Sequence, residues 1–352
     1  MIISRTPFRI SFFGGGTDYP QWYRNHEGAV LATTIDKYCY LTCRYLPPFF
    51  EHRIRVVYSQ IEDCRTVDEI RHPAVKAVLQ YMKIDRDLEI HHDGDLPARS
   101  GIGSSSSFTV GLLNALYALQ GRMVSKHQLA LEGIEIEQGV LHETVGSQDQ
   151  VSAAYGGLNH IVFHRSGEIT VRPVTARPER VSELNRHLML FYTGIKRTAS
   201  DIAESYVPEI SERTRQLRLF KTLTDESLNI LANEQDIVVF GELLDEAWQA
   251  KRSLSLKISN SDVDDIYTLA KQSGAVGGKL LGAGGGGFLL LFAPPERAAQ
   301  IRMALNKLIY VPFKFEFAGS QVIFMDHEAQ DYSQFEKDRS AIQAFRELGD
   351  TK

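Results

Sequence analysis

Residues 100–107, Ser-Gly-Ile-Gly-Ser-Ser-Ser-Ser, have the composition of a phosphate-binding loop that opens a helix. Gly101 and Gly103 permit positive φ values and let the backbone approach a ligand without a Cβ atom in the way. The serines then occupy the predicted helix start, where unpaired N–H groups and the helix dipole attract anions. Serine hydroxyls at this place can cap the helix or coordinate a metal ion. An ordinary N-capped helix is the alternative interpretation of this segment alone.

Two other glycine-rich segments accompany the first. Residues 6–19 form a predicted strand that ends in three glycines, a threonine and an aspartate, and residues 284–287 are four consecutive glycines. Because glycine loses much entropy on folding, such a run predicts close backbone approach to a ligand or to a neighbouring loop. Between these segments lies a polar turn, residues 146–150, after a predicted helix that contains Glu135 and Glu137.

Three glycine-rich loops with isolated carboxylates match the needs of phosphoryl transfer from a nucleotide. The loops hold phosphates, a carboxylate and a hydroxyl hold magnesium, and an aspartate accepts the proton of the acceptor hydroxyl. The chain contains neither a Gly-x-x-x-x-Gly-Lys-Ser/Thr motif nor the paired His-Arg-Asp and Asp-Phe-Gly motifs of protein kinases. Residues 100–105 also lack the third glycine of a dinucleotide fingerprint, which disfavours a Rossmann dehydrogenase.

The composition is that of an ordinary globular protein. With 43% hydrophobic and 24% charged residues, the 352-residue chain is long enough for two domains. The net charge of −5 argues against a large nucleic-acid footprint. No window reaches the roughly 18 apolar residues of a membrane span, the start of the chain lacks the layout of a signal peptide, and the three cysteines suit a reducing compartment. We therefore expect a cytoplasmic protein with no nucleic-acid or membrane partner.

Residue patterns along the chain predict an α+β protein with a domain boundary between Thr175 and Leu188. A largely helical region is expected from about residue 199 to residue 272. Runs of β-branched and aromatic residues predict strands at 2–5, 29–35, 38–45, 53–58, 88–91, 155–163, 169–174, 188–192, 288–292 and 313–317. Helical periodicity predicts helices at 73–82, 108–119, 126–142 and 295–308.

The three segments resemble, in order, the motifs of the GHMP small-molecule kinases, which include galactokinase, homoserine kinase and mevalonate kinase. Residues 97–106 resemble the family's Pro-x-x-x-Gly-Leu-Gly-Ser-Ser-Ala loop, with Ser106 in place of alanine, and residues 279–287 resemble its C-terminal glycine loop. Residues 9–19 are similar to Arg-x-x-x-x-Gly-Glu-His-Thr-Asp-Tyr, except that two glycines replace Glu-His. The resemblance spans nearly the whole chain.

The resemblance implies a two-domain GHMP kinase fold of the α+β class. Residues 1–180 would form an N-terminal α/β domain with the phosphate loop, and residues 181–352 a ferredoxin-like α+β domain. It implies a phosphotransferase with an alcohol group as acceptor that uses ATP and Mg²⁺. Whether the protein forms a homodimer stays open.

The resemblance also implies roles for individual residues. Asp149 would be the catalytic base, and Arg9 would polarise the acceptor hydroxyl and keep the base ionised. Glu137 and Ser105 would hold magnesium, with Glu135 as the alternative carboxylate. A helix cap is the alternative for Asp149. The expected ATP-binding residues are Pro97, Arg99, Ser100, Gly101, Ile102, Gly103, Ser104, Ser105 and Ser106.

The Gly-Gly-Gly-Thr-Asp form of the N-terminal motif resembles the branch of the family that acts on D-glycero-D-manno-heptose 7-phosphate. It implies that this sugar is phosphorylated at its anomeric hydroxyl to the 1,7-bisphosphate. Lys196 and Arg197, with Arg44 or Arg53, could clamp its remote phosphate, although a solvated basic turn is the alternative for each. A fucokinase- or galactokinase-type enzyme acting on an unphosphorylated sugar is the rival, and an inactive sugar-binding sensor is a third hypothesis. The expected substrate-binding residues are Gly15, Gly16, Thr17, Asp18, Lys196, Arg197, Gly284 and Gly285.

Overall fold

Two long antiparallel strands, β1 (Ile2–Phe13) and β2 (Gly28–Tyr45), form the centre of the larger sheet. They belong to a computed structural model that describes residues 1–47, 49–195, 202–233 and 235–326, to which all structural statements refer. The pairing runs from Ile2 opposite Cys43 to Phe13 opposite Leu31, with register shifts after Pro7 and Ser11. Each strand is therefore long enough to pair with more than one neighbouring strand.

The other strands complete two sheets. The larger sheet has the order β13-β1-β2-β5-β3-β4, with β6 and β12 also paired to β2 and β7 paired to β6. The smaller sheet has the antiparallel order β11-β8-β10-β9. These strands are β3 (Ile54–Val57), β4 (Ile61–Cys64), β5 (Leu88–Gly94), β6 (Asn159–Phe163), β7 (Ile169–Pro173), β8 (Leu188–Tyr192), β9 (Gly277–Leu280), β10 (Phe288–Phe292), β11 (Ile309–Val311), β12 (Phe315–Glu316) and β13 (Gln321–Met325).

Helices cover both sheets. A π-helical segment (Glu135–Val140) continues the fourth helix, and 3₁₀ turns lie at Val67–Glu69, Val207–Arg213 and Pro295–Arg297. The α-helices are α1 (Pro20–His26), α2 (Pro73–Tyr81), α3 (Ser104–Leu119), α4 (Lys126–Ile134), α5 (Gln148–Tyr155), α6 (Pro178–Arg186), α7 (Thr214–Ala232), α8 (Val238–Arg252), α9 (Ser261–Gln272) and α10 (Ala298–Ala304). This mixture confirms the predicted α+β class.

Helix α3 is the central helix of the N-terminal half, because it packs on β1 and β2 and also touches α4 and α5. Its side chains are buried on every face, and Leu112, Leu113 and Leu116 have no exposed surface. A helix that is apolar all round is expected only inside a core. The core fixes the position of the N-terminus of α3, which is where the serines lie.

The two halves of the chain share one core beneath the glycine-rich segments. The ring of Phe240 on α8 meets those of Phe12 and Phe13 edge-on, at centroid distances of 5.5 and 5.1 Å. Such edge-to-face pairs contribute about 0.5–1.5 kcal/mol beyond area burial. Strands β12 and β13 return to pair with β2 and β1. The predicted domain boundary at residue 180 stays a prediction. Strands β12 and β13 follow this boundary in the chain but belong to the sheet of the N-terminal half.

Several predicted elements differ from the observed ones in extent. The strands predicted at 29–35 and 38–45 form the single strand β2, and the strand predicted at 2–5 extends to residue 13. The helix predicted at 126–142 ends its α-helical part at Ile134. The strand predicted to begin at residue 155 begins at Asn159, because helix α5 occupies the residues before it.

Candidate active site

Arg9 and Asp149 form a two-pronged ion pair at the bottom of a cleft. Nε and Nη2 of Arg9 donate to the two carboxylate oxygens of Asp149, each at 2.7 Å, and Nη1 donates to the Gly101 carbonyl at 2.5 Å. Arg9 is 4% exposed, whereas the Asp149 side chain is 23% exposed toward the cleft. Because planar bidentate pairs are rigid, Asp149 is held in one orientation with its carboxylate accessible. Strand β1 supplies the arginine and the first turn of α5 supplies the aspartate.

The start of α3 faces the same cleft. Gly103 caps the helix in the left-handed conformation, with φ of 74°, and an added Cβ atom there would approach Asp149 Oδ2 to 3.4 Å. Ser104 and Ser105 line the cleft, so the free N–H groups of the first helical turn lie close to the ion pair. A phosphate bound by this turn would place its charge next to the reacting groups.

The C-terminal glycine loop packs directly onto the phosphate loop. A Cβ atom on Gly101 would come 2.5 Å from the Leu281 carbonyl oxygen, and one on Gly287 would come 2.2 Å from the Ser100 carbonyl oxygen. The backbone N–H of Phe288 donates to that same Ser100 oxygen. The expectation that the glycines allow close approach to a neighbouring loop is therefore confirmed.

Asp18 is a second, buried carboxylate in the lining of the cleft. Its two oxygens accept hydrogen bonds from the Gly16 N–H at 2.9 Å and from Nε2 of Gln148 at 3.0 Å. Burial raises the pKa of Asp18, and the Asp149 charge acts in the same direction, while the bond from Gly16 opposes it. Asp18 thus ties the N-terminal glycine segment to the start of α5, and a Cβ atom on Gly146 would collide with it.

Glu137 lies within the π-helical segment and is 1% exposed. Its Oε2 accepts hydrogen bonds from Ser106 Oγ at 2.8 Å and from Gln150, while Oε1 is buried and has no partner among the described residues. Burial raises the pKa of Glu137 to about 8. A divalent cation would pair the orphaned oxygen and favour the ionised form, so the residues present fit a magnesium ion. The alternative carboxylate, Glu135, is exposed.

The serine that contacts Glu137 is Ser106, whereas Ser105 is exposed on the neighbouring face of the first turn. Successive residues on an α-helix point about 100° apart, so the two hydroxyls cannot serve the same atom equally. In the described part of the chain, no cluster of three or more His, Cys, Asp or Glu side chains could hold a metal by itself. The magnesium prediction for Ser105 stays a prediction.

The cleft brings together part of the predicted residue set. It contains about 1400 Å³ of empty space, part of it open to solvent. Among its lining residues are the predicted Arg9, Gly15, Gly16, Asp18, Arg99, Gly101, Gly103, Ser104, Ser105, Asp149 and Gly284. Pro97, Ser100, Ile102, Ser106 and Glu137 are not among the lining residues, and Lys196 and Arg197 lie outside the described residues.

Thr17 and Gly285 correct the predicted substrate-binding set. Thr17 is fully buried, and its hydroxyl donates to the Gly14 and Ala29 carbonyls at 2.7 and 3.0 Å, so it closes the turn and does not face the cleft. The Gly285 N–H donates to the Ile258 carbonyl, away from the cleft.

The two arginines considered as partners of a phosphate clamp do not line the cleft either. Arg44 donates to Glu89 at 2.5 Å and Arg53 to Asp87 at 2.7 Å.

Two lysines of the cleft were missed by sequence reasoning. Lys251, at the end of α8, donates to the Gly282 carbonyl, and Lys279, on β9, donates to the Phe12 carbonyl at 2.8 Å. Burial lowers the pKa of Lys251 to about 8 and lowers that of Lys279 as well. The position of Lys279, just before the glycine loop, was a usable signal, whereas Lys251 stands in a helix without a motif.

The arrangement is suited to moving a phosphoryl group onto a hydroxyl. An accessible carboxylate held by an arginine can accept a proton, a helix N-terminus can hold phosphates, and buried cations can balance their charge. In the described part of the chain, no helix is both long and apolar enough to cross a membrane.

Comparisons with known proteins agree with this geometry. Models described as the GHMP kinases N-terminal domain and the GHMP kinases C-terminal match residues 69–157 and 228–311. The chain is 27% identical, over 317 residues, to D-glycero-alpha-D-manno-heptose 7-phosphate kinase from Campylobacter jejuni, covering 87% of this chain and 93% of that protein. It is 27% identical over 330 residues to the bifunctional fucokinase/GDP-fucose pyrophosphorylase of Arabidopsis thaliana, with 86% of this chain and 31% of that protein covered.

The crystal structure of a D-glycero-D-manno-heptose 1-phosphate kinase from Bacteroides thetaiotaomicron superposes with a TM-score of 0.77 at 23% identity. The match covers 93% of this chain and 100% of that one. At this level of identity the likeness shows the fold, and it confirms the predicted fold class.

Proposed function

Because this chain belongs to the GHMP kinase family and is a phosphotransferase with an alcohol acceptor, we propose that its acceptor is D-glycero-D-manno-heptose 7-phosphate. The anomeric hydroxyl would receive the γ-phosphoryl group of ATP to give the 1,7-bisphosphate. The observation that carries the transfer step is the Arg9–Asp149 pair directly beside the N-terminus of α3, and the choice of acceptor rests on the comparisons. We also propose a cytoplasmic location.

In the proposed reaction the oxygen of the acceptor hydroxyl attacks the γ-phosphorus of ATP, and Asp149 accepts the proton of that hydroxyl. The bond from phosphorus to the ADP oxygen breaks, and ADP leaves with the bonding electrons. Arg9 holds the carboxylate through two hydrogen bonds of 2.7 Å, and the N–H groups at the start of α3 hold the nucleotide phosphates. General-base catalysis of this kind contributes about 10²–10⁴-fold to the rate.

Glu137 and Ser105 are the residues we propose to hold magnesium, whose charge would neutralise the phosphates. The support is the buried oxygen of Glu137 that has no partner among the described residues. Ser106, which donates to the other oxygen, would orient the carboxylate.

The heptose assignment is supported by the Campylobacter relative and by the N-terminal glycine segment. A Cβ atom on Gly15 would lie 3.6 Å from Gln148 Nε2, and one on Gly16 would lie 3.1 Å from Leu217 Cδ2. Two glycines thus stand where galactokinase-type motifs carry Glu-His side chains. They would leave room for a longer sugar beside Gly15, whereas Leu217 occupies the space beside Gly16. A fucokinase-type reaction on an unphosphorylated sugar is the second candidate, favoured by the match to the bifunctional fucokinase/GDP-fucose pyrophosphorylase.

An ADP-release assay with ATP and magnesium tests the proposal. The acceptor panel is D-glycero-D-manno-heptose 7-phosphate, mannose 6-phosphate, sedoheptulose 7-phosphate, L-fucose, galactose and mevalonate. We expect the heptose phosphate to give the highest kcat/KM. A preference for fucose or galactose would move the second candidate to first place, and the product's ³¹P spectrum would show whether position 1 is phosphorylated.

A further inference from the structure

Two lysine side chains line the cleft without a carboxylate partner among the described residues, and of these Lys279 is buried and Lys251 is half-buried. Within the described residues, Lys251 and Lys279 each hydrogen-bond only a backbone carbonyl, those of Gly282 and Phe12 respectively. An ammonium group has three N–H donors, so each lysine keeps donors for a further acceptor. Lys279 is 6% exposed, and both side chains line the cleft.

The carboxylates nearest to these lysines are already engaged. Both carboxylate oxygens of Asp149 accept hydrogen bonds from Arg9, and those of Asp18 accept from Gly16 and Gln148. The charges of Lys251 and Arg9 also disfavour the charged form of Lys279. Buried like charges are costly unless an anion compensates them. When all are charged, the four basic side chains that line the cleft (Arg9, Arg99, Lys251 and Lys279) outnumber the three acidic ones (Asp18, Glu143 and Asp149).

We propose that Lys251 and Lys279 bind a phosphate group carried by the acceptor, which makes the acceptor a sugar phosphate. This inference rests on the proposed function and deepens it, because it replaces the unassigned remote clamp with two named residues.

The position of the lysines favours the acceptor's phosphate over those of the nucleotide. Lys279 is anchored to Phe12, two residues before the glycine segment that ends in Asp18, and the Asp18 carboxylate acts electrostatically on both lysines. The nucleotide phosphates have their own donors at the N-terminus of α3. Lys251 also lies near the phosphate loop, because Gly282, to which it donates, packs against Gly101, so Lys279 is the lysine placed more clearly on the acceptor side. A dianionic sugar phosphate would bring the compensating charge that the lysines lack, whereas a neutral sugar would not.

Methionine replaces lysine with little change in side-chain length and tests the role of the charge. We expect Lys251→Met and Lys279→Met each to raise the KM for the heptose 7-phosphate at least 10-fold. The KM for ATP should rise much less than the KM for the heptose 7-phosphate, and the loss of kcat/KM should be at least 5-fold smaller with the corresponding unphosphorylated heptose as acceptor. Lys271→Met is a control outside the cleft lining, because Lys271 also donates to a carbonyl, that of Val276. Since Lys271 additionally pairs with Asp245 at 3.0 Å, this variant should lose stability and leave the KM for the heptose 7-phosphate unchanged.

Other patterns would overturn the proposal. An unchanged KM in both variants would exclude phosphate binding by these lysines. An equal loss of kcat with phosphorylated and unphosphorylated acceptors would place them at the transferred phosphoryl group instead. Thermal unfolding of each variant identifies a folding defect, and Lys279→Arg, which keeps the charge, should recover most of the affinity if charge is the cause.

A binding measurement separates failure of this inference from failure of the proposed function. Calorimetry without nucleotide would use mannose 6-phosphate and sedoheptulose 7-phosphate as probes on the wild type and the Lys251→Met variant. Lysine-dependent binding without any turnover of the heptose phosphate would support the phosphate site and refute the heptose assignment. Binding that is equal in the two proteins would refute the site, whatever sugar is turned over.

Discussion

Replacing Asp149 by asparagine removes one negative charge and the proton acceptor while keeping the side-chain shape. The carboxylate receives two hydrogen bonds of 2.7 Å from Arg9, and the amide can accept only one of them. Losing one charge-assisted hydrogen bond costs about 1.5–3 kcal/mol of stability. Since a folded domain has about 5–15 kcal/mol in reserve, the variant should stay folded.

The expected loss in turnover is larger than the loss in stability. Without the base, kcat should fall by about 10²–10⁴-fold, which corresponds to about 3–5 kcal/mol in the activation free energy. ATP binding should be retained, because the donors at the start of α3 do not depend on the carboxylate. Single-turnover ADP release at saturating substrate measures the loss in turnover. Calorimetry with ATP measures whether nucleotide binding is retained.

A double-mutant comparison makes the test stricter. If Arg9 acts by holding Asp149, then Arg9→Met combined with Asp149→Asn should lose little more activity than Asp149→Asn alone, since residues that act as a unit are not additive. Turnover of Asp149→Asn within 10-fold of the wild type would refute the base assignment. Multiplicative losses in the double variant would refute the coupling.

Three further predictions follow from the geometry. Because the pKa of Glu137 is raised to about 8 in the folded protein, stability without metal should fall as pH rises from about 5 to 8, by at most about 1.4 kcal/mol per unit, and urea unfolding of Glu137→Gln should lack this slope. Gly101→Ala should weaken ATP binding and lower Tm through its collision with the neighbouring loop, whereas Gly121→Ala, with similar positive φ and open space, should show only the smaller strain. Ser106→Ala should raise the magnesium concentration needed for half-maximal turnover by loosening Glu137, and a comparison with Ser105→Ala will show which hydroxyl matters more.

The sequence carried enough information for the two central strands, for α3 and for the order of the glycine-rich loops. It did not reveal β9, β11 and β13, or the helix α5 that begins within the expected turn at residues 146–150. The apolar stretch after Gly103 and the β-branched runs on β1 and β2 mark themselves by composition and periodicity. The extent of β2 was underestimated, because its pairing with β1 continues across a register shift near Pro7 that no local pattern announces.

The functional residues divide in the same way. Asp149 and Arg9 stand in motifs, and they do meet in space, although 140 positions separate them. Lys251 stands outside any motif. It reaches the cleft only because packing brings the end of α8 to the glycine loop. Thr17 stands inside a motif, yet its hydroxyl is used by the backbone of a turn. A motif shows which residues are near a site, and packing decides which of them face it.

The choice between Glu135 and Glu137 shows why helix register cannot be read from one sequence. The two residues differ by two positions, so both could face the phosphate loop in some helical register. The chain leaves α-helical geometry after Ile134, and the Leu141 N–H bonds the Ile136 carbonyl, five residues back. The wider turn leaves Glu135 exposed and Glu137 buried against Ser106 and Gln150. Such π-helical turns are rare, and those that occur are often found at functional sites. The burial of an acid with one oxygen unpaired among the described residues therefore fits the proposal that Glu137 binds a metal ion.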